Sequence, residues 1–170
     1  MKYYFPHTDV CFVCGEGNPI GLNLKAYYED GKIMTEFFTR PNLAGYKNAI
    51  HGGIITTVID EVMTWCAFTY GSLNRMYLTR EIDIKFKRRV CINKYYFAIA
   101  EFVQEKKLLV YVRGTLEDKN RNIYAIANAA FAPFSEKDSE EGILNAKFEN
   151  DKLYHTKILR LYNQLNIDKH

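Results

Sequence analysis

The feature that most constrains this sequence is one long helical pattern that is apolar nearly all round. Between residues 52 and 70, apolar side chains recur at helical spacing, and other apolar residues lie on the remaining sides. The recurring residues are Ile55, Val58, Ile59, Val62, Met63 and Cys66. A helix of this kind must be buried, and the following Gly71-Ser72 is typical of its end. We therefore expect other elements to cover this helix on most sides.

Strand patterns flank the helix on both sides. Residues 22–26 alternate apolar and polar side chains, Asp30-Gly31 indicates a hairpin, and residues 33–40 give the returning strand. Four runs rich in β-branched and aromatic residues follow the helix, at residues 77–90, 94–104, 108–117 and 123–134. The short polar breaks indicate an antiparallel meander. The predicted class is α+β, an antiparallel sheet of five to six strands wrapped around one long central helix, which must self-associate to cover the rest of that helix.

The two ends of the chain differ from this central part. The first 21 residues are punctuated by glycine and proline and are predicted to form an arm. Residues 1–134, including this arm, are predicted to be one domain. Residues 135–170 are predicted to be a charged C-terminal extension with a helix between about residues 152 and 165.

Charge and hydropathy exclude several classes of function. The 23 Lys and Arg residues face 20 Asp and Glu residues, and a formal charge of +3 is too small to indicate a nucleic-acid partner. No apolar run approaches the ~18 residues of a membrane span. The N-terminus lacks the apolar core of a signal peptide. We therefore expect a cytoplasmic protein whose four cysteines are reduced.

Candidate chemistry lies at the start of the helix and two turns into it. Gly52 and Gly53 follow His51 and leave their N–H groups uncovered by side chains. Such donors at a helix N-terminus suit an oxygen that becomes negative during acyl transfer, although a tight turn alone would also explain the glycines. Asp60 interrupts positions that otherwise favour burial. It is therefore a functional carboxylate, one satisfied by hydrogen bonds, or one that faces solvent with Glu61.

The spacing of these groups constrains how they can act together. Gly52 and Asp60 are eight residues apart, which is roughly 12 Å along a helix. Catalytic contacts are ~3 Å long, so one carbonyl group cannot touch both groups of one chain. If both act on one substrate, Gly52 comes from one protomer and Asp60 from the other.

Several motifs together resemble a known family. They are Cys11–Leu24 (CFVCGEGNPIGLNL), Gly45-Tyr46, His51-Gly52-Gly53, and Asp60-Glu61, whose first acid stands nine positions after the histidine. In this order they resemble the hotdog-fold acyl-CoA thioesterases of the PaaI and THEM-like branch, over roughly residues 11–134. The resemblance implies the hotdog fold and hydrolysis of acyl-CoA thioesters to the free acid and CoA.

The resemblance also implies the catalytic residues. Asp60 matches the family's general base or nucleophile, and Gly52 matches the glycine whose N–H polarises the thioester carbonyl. His51 matches the histidine that shapes the loop, and Gly53 is the last residue of the His-Gly-Gly motif. Thr79 matches a Ser or Thr that helps to place the water. Family members form homodimers and often dimers of dimers, and they need no metal or redox cofactor, since CoA is part of the substrate.

Further residues complete the predicted site. Many relatives carry Asn or Gln six residues before the histidine, where this chain has Gly45. Asn48 and Asn42 are the two candidate substitutes, and Asn48 is assigned to the supporting part of the site. Glu61 points ~100° away from Asp60 around the helix, so a supporting or interface contact is predicted. The residues predicted to hold the CoA phosphates are Arg80, Lys85, Lys87 and Arg88.

The Cys11-x-x-Cys14 motif, with His7 nearby, is open to three interpretations. These are a metal site, a redox pair and simple packing of the arm. A structural zinc site needs four ligands, and the sequence contains no second pair. Packing is therefore favoured, and no metal is predicted.

Thioester hydrolysis is the leading hypothesis, and two others remain. One is a non-catalytic hotdog module that binds acyl-CoA or a fatty acid, which would bind the substrate without releasing thiol. The other is a hydratase acting on enoyl-CoA, which would need an Asp/His pair that the sequence does not show away from His51.

Overall fold

Helix α1 (Gly52–Tyr70) is the centre of the fold in the computed structural model, which describes residues 1–167. All six residues predicted from the helical spacing are buried. Trp65, Ala67 and Phe68 add buried apolar surface on its other sides. No helix within the described residues combines the length and the apolarity needed to cross a bilayer.

An antiparallel sheet surrounds α1. Its strands are β1 (Tyr3–Tyr4), β2 (Tyr27–Glu29), β3 (Lys32–Phe38), β6 (Tyr77–Phe86), β7 (Tyr95–Lys106), β8 (Leu109–Glu117) and β9 (Ile123–Pro133). The order across the sheet is β1-β2-β3-β7-β8-β9-β6, so β1 and β6 are its edges. The remaining elements are a 3₁₀ turn (Pro41–Leu43), the hairpin strands β4 (Ala44–Tyr46) and β5 (Ala49–Ile50), and the helices α2 (Glu136–Leu144) and α3 (Thr156–Ile167). The predicted antiparallel sheet around one central helix is confirmed.

The helix and the sheet approach each other most closely at one glycine. Gly114 lies in the middle of β8, under α1. A Cβ atom built on Gly114 would lie 2.5 Å from Ile59 Cγ2 and 2.6 Å from Met63 Sδ. Both distances are inside van der Waals contact, so the absence of a side chain at this position lets α1 lie against the sheet.

The prediction of a strand at residues 22–26 was wrong. Burial alternates there as expected, but the backbone bonds to the arm instead of to a neighbouring strand. The Leu22 N–H donates to the Phe12 carbonyl at 2.8 Å. The Leu24 N–H donates to the Val13 carbonyl at the same distance. Strand pairing begins only at β2, and the short edge strand β1 brings the sheet to seven strands instead of five to six.

The C-terminal extension packs against α1 and the arm. Lys157 on α3 donates through Nζ to the carbonyls of Phe68 and Gly71 at the C-terminal end of α1, where a cation is favourable. Burial lowers the pKa of Lys157 to about 8. His7 of the arm and Lys147 of the extension exchange two backbone hydrogen bonds. Helix α2 was not predicted. Residues 168–170 lie outside the described residues. The division of the chain at residue 134 into a domain and an extension stays a prediction.

Replacing Gly114 tests the close approach of α1 to the sheet. Gly114→Ala is expected to lower the free energy of unfolding by ~1–3 kcal/mol, the usual cost of overpacking a core. Gly142→Ala is the matched control, because nothing lies within 4 Å of a Cβ atom built there. We expect that control to leave stability unchanged or to raise it by up to ~1 kcal/mol. Urea unfolding measures both, and equal effects would contradict the packing described.

Candidate active site

The N-terminus of α1 is capped by its own histidine. His51 is extended, with φ −62° and ψ 135°, and its Nδ1 accepts a hydrogen bond from the Gly53 N–H at 2.9 Å. The neutral ring therefore carries its proton on Nε2. No hydrogen bond within residues 1–167 uses the Gly52 N–H. Of the two predicted glycine donors, the cap occupies that of Gly53 and leaves that of Gly52 available.

The β4–β5 hairpin explains the residues that depart from the family pattern. A Cβ atom on Gly45 would lie 2.7 Å from His51 Cδ2, so a larger residue there would displace the histidine. Asn48 stands in the turn of the hairpin with a φ of 58°, a conformation that Asn adopts more readily than most residues. No hydrogen bond among the described residues joins its side chain to His51 or Asp60.

Asp60 is half-buried and is held by strand β6. Its Oδ1 accepts a hydrogen bond from Thr79 Oγ1 at 2.7 Å, so these two predicted residues are in direct contact. Burial raises the pKa of Asp60, and the hydrogen bond from Thr79 opposes that shift. A carboxylate in a fixed orientation with a raised pKa is suited to take a proton from water.

A β-bulge in β6 makes the contact between Thr79 and Asp60 possible. The pairing of β6 with β9 shifts between Thr79 and Glu81 and leaves Arg80 without a partner. Thr79 faces α1 before the bulge, whereas Ile82 and Ile84 pack on the core after it. The inward positions therefore change from odd to even numbers. Sequence reasoning missed this bulge, although that change of phase in the apolar pattern is its usual signal.

The other end of β6 lies over the start of α1. A Cβ atom on Gly52 would lie 3.3 Å from Phe86 Cζ. Strand β6 therefore touches both candidate groups, Asp60 through Thr79 and Gly52 through Phe86. It is also an edge of the sheet, and two of its apolar side chains, Phe86 and Leu78, are half exposed.

The four basic residues predicted to hold phosphates lie on β6 or directly after it. Each is exposed, and none forms an ion pair with another described residue. They are Arg80, Lys85, Lys87 and Arg88. The Lys87 and Arg88 N–H groups both donate to the Tyr124 carbonyl, which fixes the backbone at the end of the strand. Because the four basic side chains are exposed and form no ion pair with a described residue, they are free to bind an anion.

Glu61 points into a second cluster, which the sequence did not predict. Its Oε1 accepts a hydrogen bond from Trp65 Nε1 at 3.0 Å. One carboxylate oxygen and the sulfur atoms of Cys11 and Cys14 lie within 4.8 Å of one another. Burial raises the pKa of Glu61 to about 7. The Cys14 thiol and nearby N–H groups lower the pKa of Cys11, while hydrogen bonding to Cys11 and burial raise that of Cys14.

The architecture is the hotdog fold, which solved structures share at low sequence identity. A thioesterase superfamily protein superposes with a TM-score of 0.65 and 14% identity, over 73% of this chain and 60% of that one. The PaaI protein of Escherichia coli, from the phenylacetic acid degradation operon, gives 0.60 and 12%, over 67% and 81%. A Streptococcus mutans protein bound to acetyl-CoA gives 0.57 and 16%, over 64% and 85%. This chain thus spans less than two thirds of the first protein's length.

A family comparison by sequence agrees with the fold. Residues 47–125 match the family profile described as the thioesterase superfamily. The matched segment includes His51, Gly52, Asp60 and Thr79. No curated protein sequence matches this chain. The resemblance to the hotdog-fold thioesterases is therefore confirmed.

Substitution of His51 tests its role as the helix cap. His51→Ala is expected to lower the free energy of unfolding by ~0.5–2 kcal/mol, because the Gly53 N–H loses its acceptor. His51→Asn supplies another side-chain acceptor and should remain close to the wild type. Urea unfolding provides the measurement. An alanine variant as stable as the asparagine variant would contradict the capping role.

Proposed function

We propose that this protein hydrolyses acyl-CoA thioesters at a site shared between two protomers. The observation that carries the proposal is the Asp60 carboxylate, which Thr79 holds beside the exposed edge strand of a hotdog fold. The free Gly52 N–H is roughly 12 Å away along the same helix, too far to act on the same carbonyl group. A second chain is therefore needed to complete the site.

The edge position of β6 supports a specific pairing of two chains. This strand has ten residues, and a long unpaired edge is a template for another strand. Two-fold antiparallel pairing centred between Ile82 and Asp83 would set Thr79 of one protomer opposite Phe86 of its partner. Since Thr79 contacts Asp60 and Phe86 contacts Gly52, this pairing brings one chain's carboxylate toward the other chain's free N–H. The proposed assembly is this homodimer, or a dimer of such dimers.

The proposed reaction uses both groups on one carbonyl. Water attacks the thioester carbon while Asp60 takes its proton, and the Gly52 N–H of the partner donates to the oxygen as it becomes negative. The C–S bond of the tetrahedral intermediate then breaks. The CoA thiolate leaves and receives the proton from Asp60, and the free acid remains. In the nucleophilic variant the Asp60 carboxylate attacks the thioester carbon and the C–S bond breaks, so that the CoA thiolate leaves. Water then hydrolyses the resulting anhydride, which releases the free acid and regenerates the Asp60 carboxylate.

The rest of the substrate is assigned to the end of β6. The exposed basic residues that follow the bulge, Lys85, Lys87 and Arg88, together with Arg80 in it, are proposed to bind the CoA phosphates. A Streptococcus mutans protein of the same fold is bound to acetyl-CoA, which supports CoA as the carrier group.

The four free cysteines support a reducing cytoplasm as the location.

Removal of the Asp60 charge is the direct test of the proposed base. Asp60→Asn keeps an oxygen that can accept the Thr79 hydrogen bond, so it should fold and assemble as the wild type does. We expect kcat for thiol release from acyl-CoA to fall by ~10²–10⁴-fold, the usual contribution of a general base. Glu140→Gln on α2, where the side chain is exposed, is the matched control and should keep full activity.

The same assay separates hydrolysis from binding alone. Short, long and aromatic acyl-CoAs are tested for free thiol with a thiol reagent and for binding by calorimetry. Unchanged kcat in Asp60→Asn would contradict the role of this carboxylate. A wild-type protein that binds acyl-CoA and releases no thiol would contradict hydrolysis and favour the non-catalytic module.

A further inference from the structure

Three metal-binding side chains converge beside α1, on residues that the proposed hydrolysis does not use. Cys11 and Cys14 come from the arm, and Glu61 comes from the helix. Their ligand atoms, two sulfurs and a carboxylate oxygen, all lie within 4.8 Å of one another. In a tetrahedral zinc site the corresponding atoms are about 3.3–3.8 Å apart. Small side-chain rotations would therefore bring all three onto one ion.

The arm backbone is arranged to support a thiolate at Cys11. The N–H groups of Val13 and Cys14 point at Cys11 Sγ, at 3.3 and 3.4 Å. The Gly15 N–H closes the same turn on the Cys11 carbonyl at 3.0 Å. A Cβ atom at Gly15 would lie 2.4 Å from the Asp9 carbonyl, so the turn requires glycine. Hydrogen bonds to sulfur orient a thiolate ligand and tune it for a bound metal.

Glu61 has no positively charged partner among the described residues. No Lys, Arg or His among residues 1–167 lies within ion-pair distance of its carboxylate. Its neutral donors are Trp65 Nε1 and the Cys14 thiol. Buried carboxylates are costly unless they are paired or bound to a metal. A cation held between the carboxylate and the two cysteines would meet that requirement.

A cavity adjoins the cluster and provides room for a fourth ligand. It has a volume of about 180 Å³ and lies between the arm, α1 and the C-terminal extension. Its wall includes the three converging side chains, the apolar residues Met76 and Ile158, and His7. The His7 ring nitrogens each lie 3.9 Å from a carboxylate, of Glu16 and Glu149, so His7 is engaged elsewhere. Water or another small ligand from the cavity can take the open position.

We propose that Cys11, Cys14 and Glu61 form a binding site for a divalent cation of the zinc class. Two thiolates and one carboxylate match the ligand preference of Zn²⁺, and three protein ligands leave one position open toward the cavity. The ion would join the arm directly to α1, one residue beyond Asp60. The site differs from a structural zinc site with four protein ligands, because it has three and the third, Glu61, comes from the helix.

Cobalt substitution tests this site without reference to enzyme activity. The reduced full-length protein is titrated with Co²⁺, and thiolate-to-cobalt charge-transfer absorption is recorded together with the tetrahedral d–d bands. We expect one ion per chain, displaced by Zn²⁺, and a rise in the melting temperature on Zn²⁺ binding. Cys11→Ser and Cys14→Ser should each lower the charge-transfer absorption, and the double variant should abolish it. Cys91→Ser is the matched control, because it removes a free cysteine outside the cluster, and it should keep the full signal.

Glu61→Gln tests the third ligand and guards against variants that fail to fold. The amide oxygen can still accept from Trp65, so the fold should be kept, and Co²⁺ affinity should fall at least about tenfold, with altered d–d bands. Unchanged affinity and spectrum in Glu61→Gln would overturn the assignment. Wild-type protein that binds no Co²⁺ when reduced would overturn it as well.

Discussion

The burial of a single helix that carries two adjacent carboxylates is the constraint on which the rest of this structure depends. Helix α1 is surrounded by apolar contacts, yet Asp60 and Glu61 stand in its middle. Neighbouring residues on a helix point in different directions, so each carboxylate needs its own polar environment. Strand β6 provides one environment through Thr79, and the N-terminal arm provides the other near Cys11 and Cys14.

Each of these environments depends on a departure from regular structure. A bulge at Arg80 turns Thr79 toward Asp60 and still lets the following residues of β6 pack on the core. On the arm side, residues 22–26 do not pair with a strand, and their backbone forms hydrogen bonds with the segment that carries the cysteines. The start of α1 is a third such case, because the His51 cap occupies the Gly53 N–H and leaves the preceding one, that of Gly52, free. The polar groups are therefore positioned by local irregularities in an otherwise regular sheet.

The sequence predicted what depends on periodicity and missed what depends on pairing across the fold. Helix α1 occupies residues 52–70 as its apolar spacing indicates. Thr79 contacts Asp60, and its role in placing the water stays a prediction. Helix α2 was missed because only two of its residues, Ser139 and Ile143, are buried, which leaves no apolar stripe. The two cysteines beside Glu61 could not be predicted, since Cys11 and Cys14 lie about fifty residues away in sequence and reach it only through the packing of the arm.

The central claim is that Asp60 and the Gly52 N–H act together only when they come from different chains, and mixing two inactive variants tests it directly. Gly52→Pro removes the N–H at the first helical position, where proline is tolerated, and His51 already has the extended conformation that precedes proline. Gly52→Ala keeps the N–H and serves as the control for added bulk. Co-expressed Gly52→Pro and Asp60→Asn chains should regain about a quarter of wild-type thiol release, because half of the dimers then contain one intact site. A mixture as inactive as each variant alone, while Gly52→Ala remains active, would contradict a shared site.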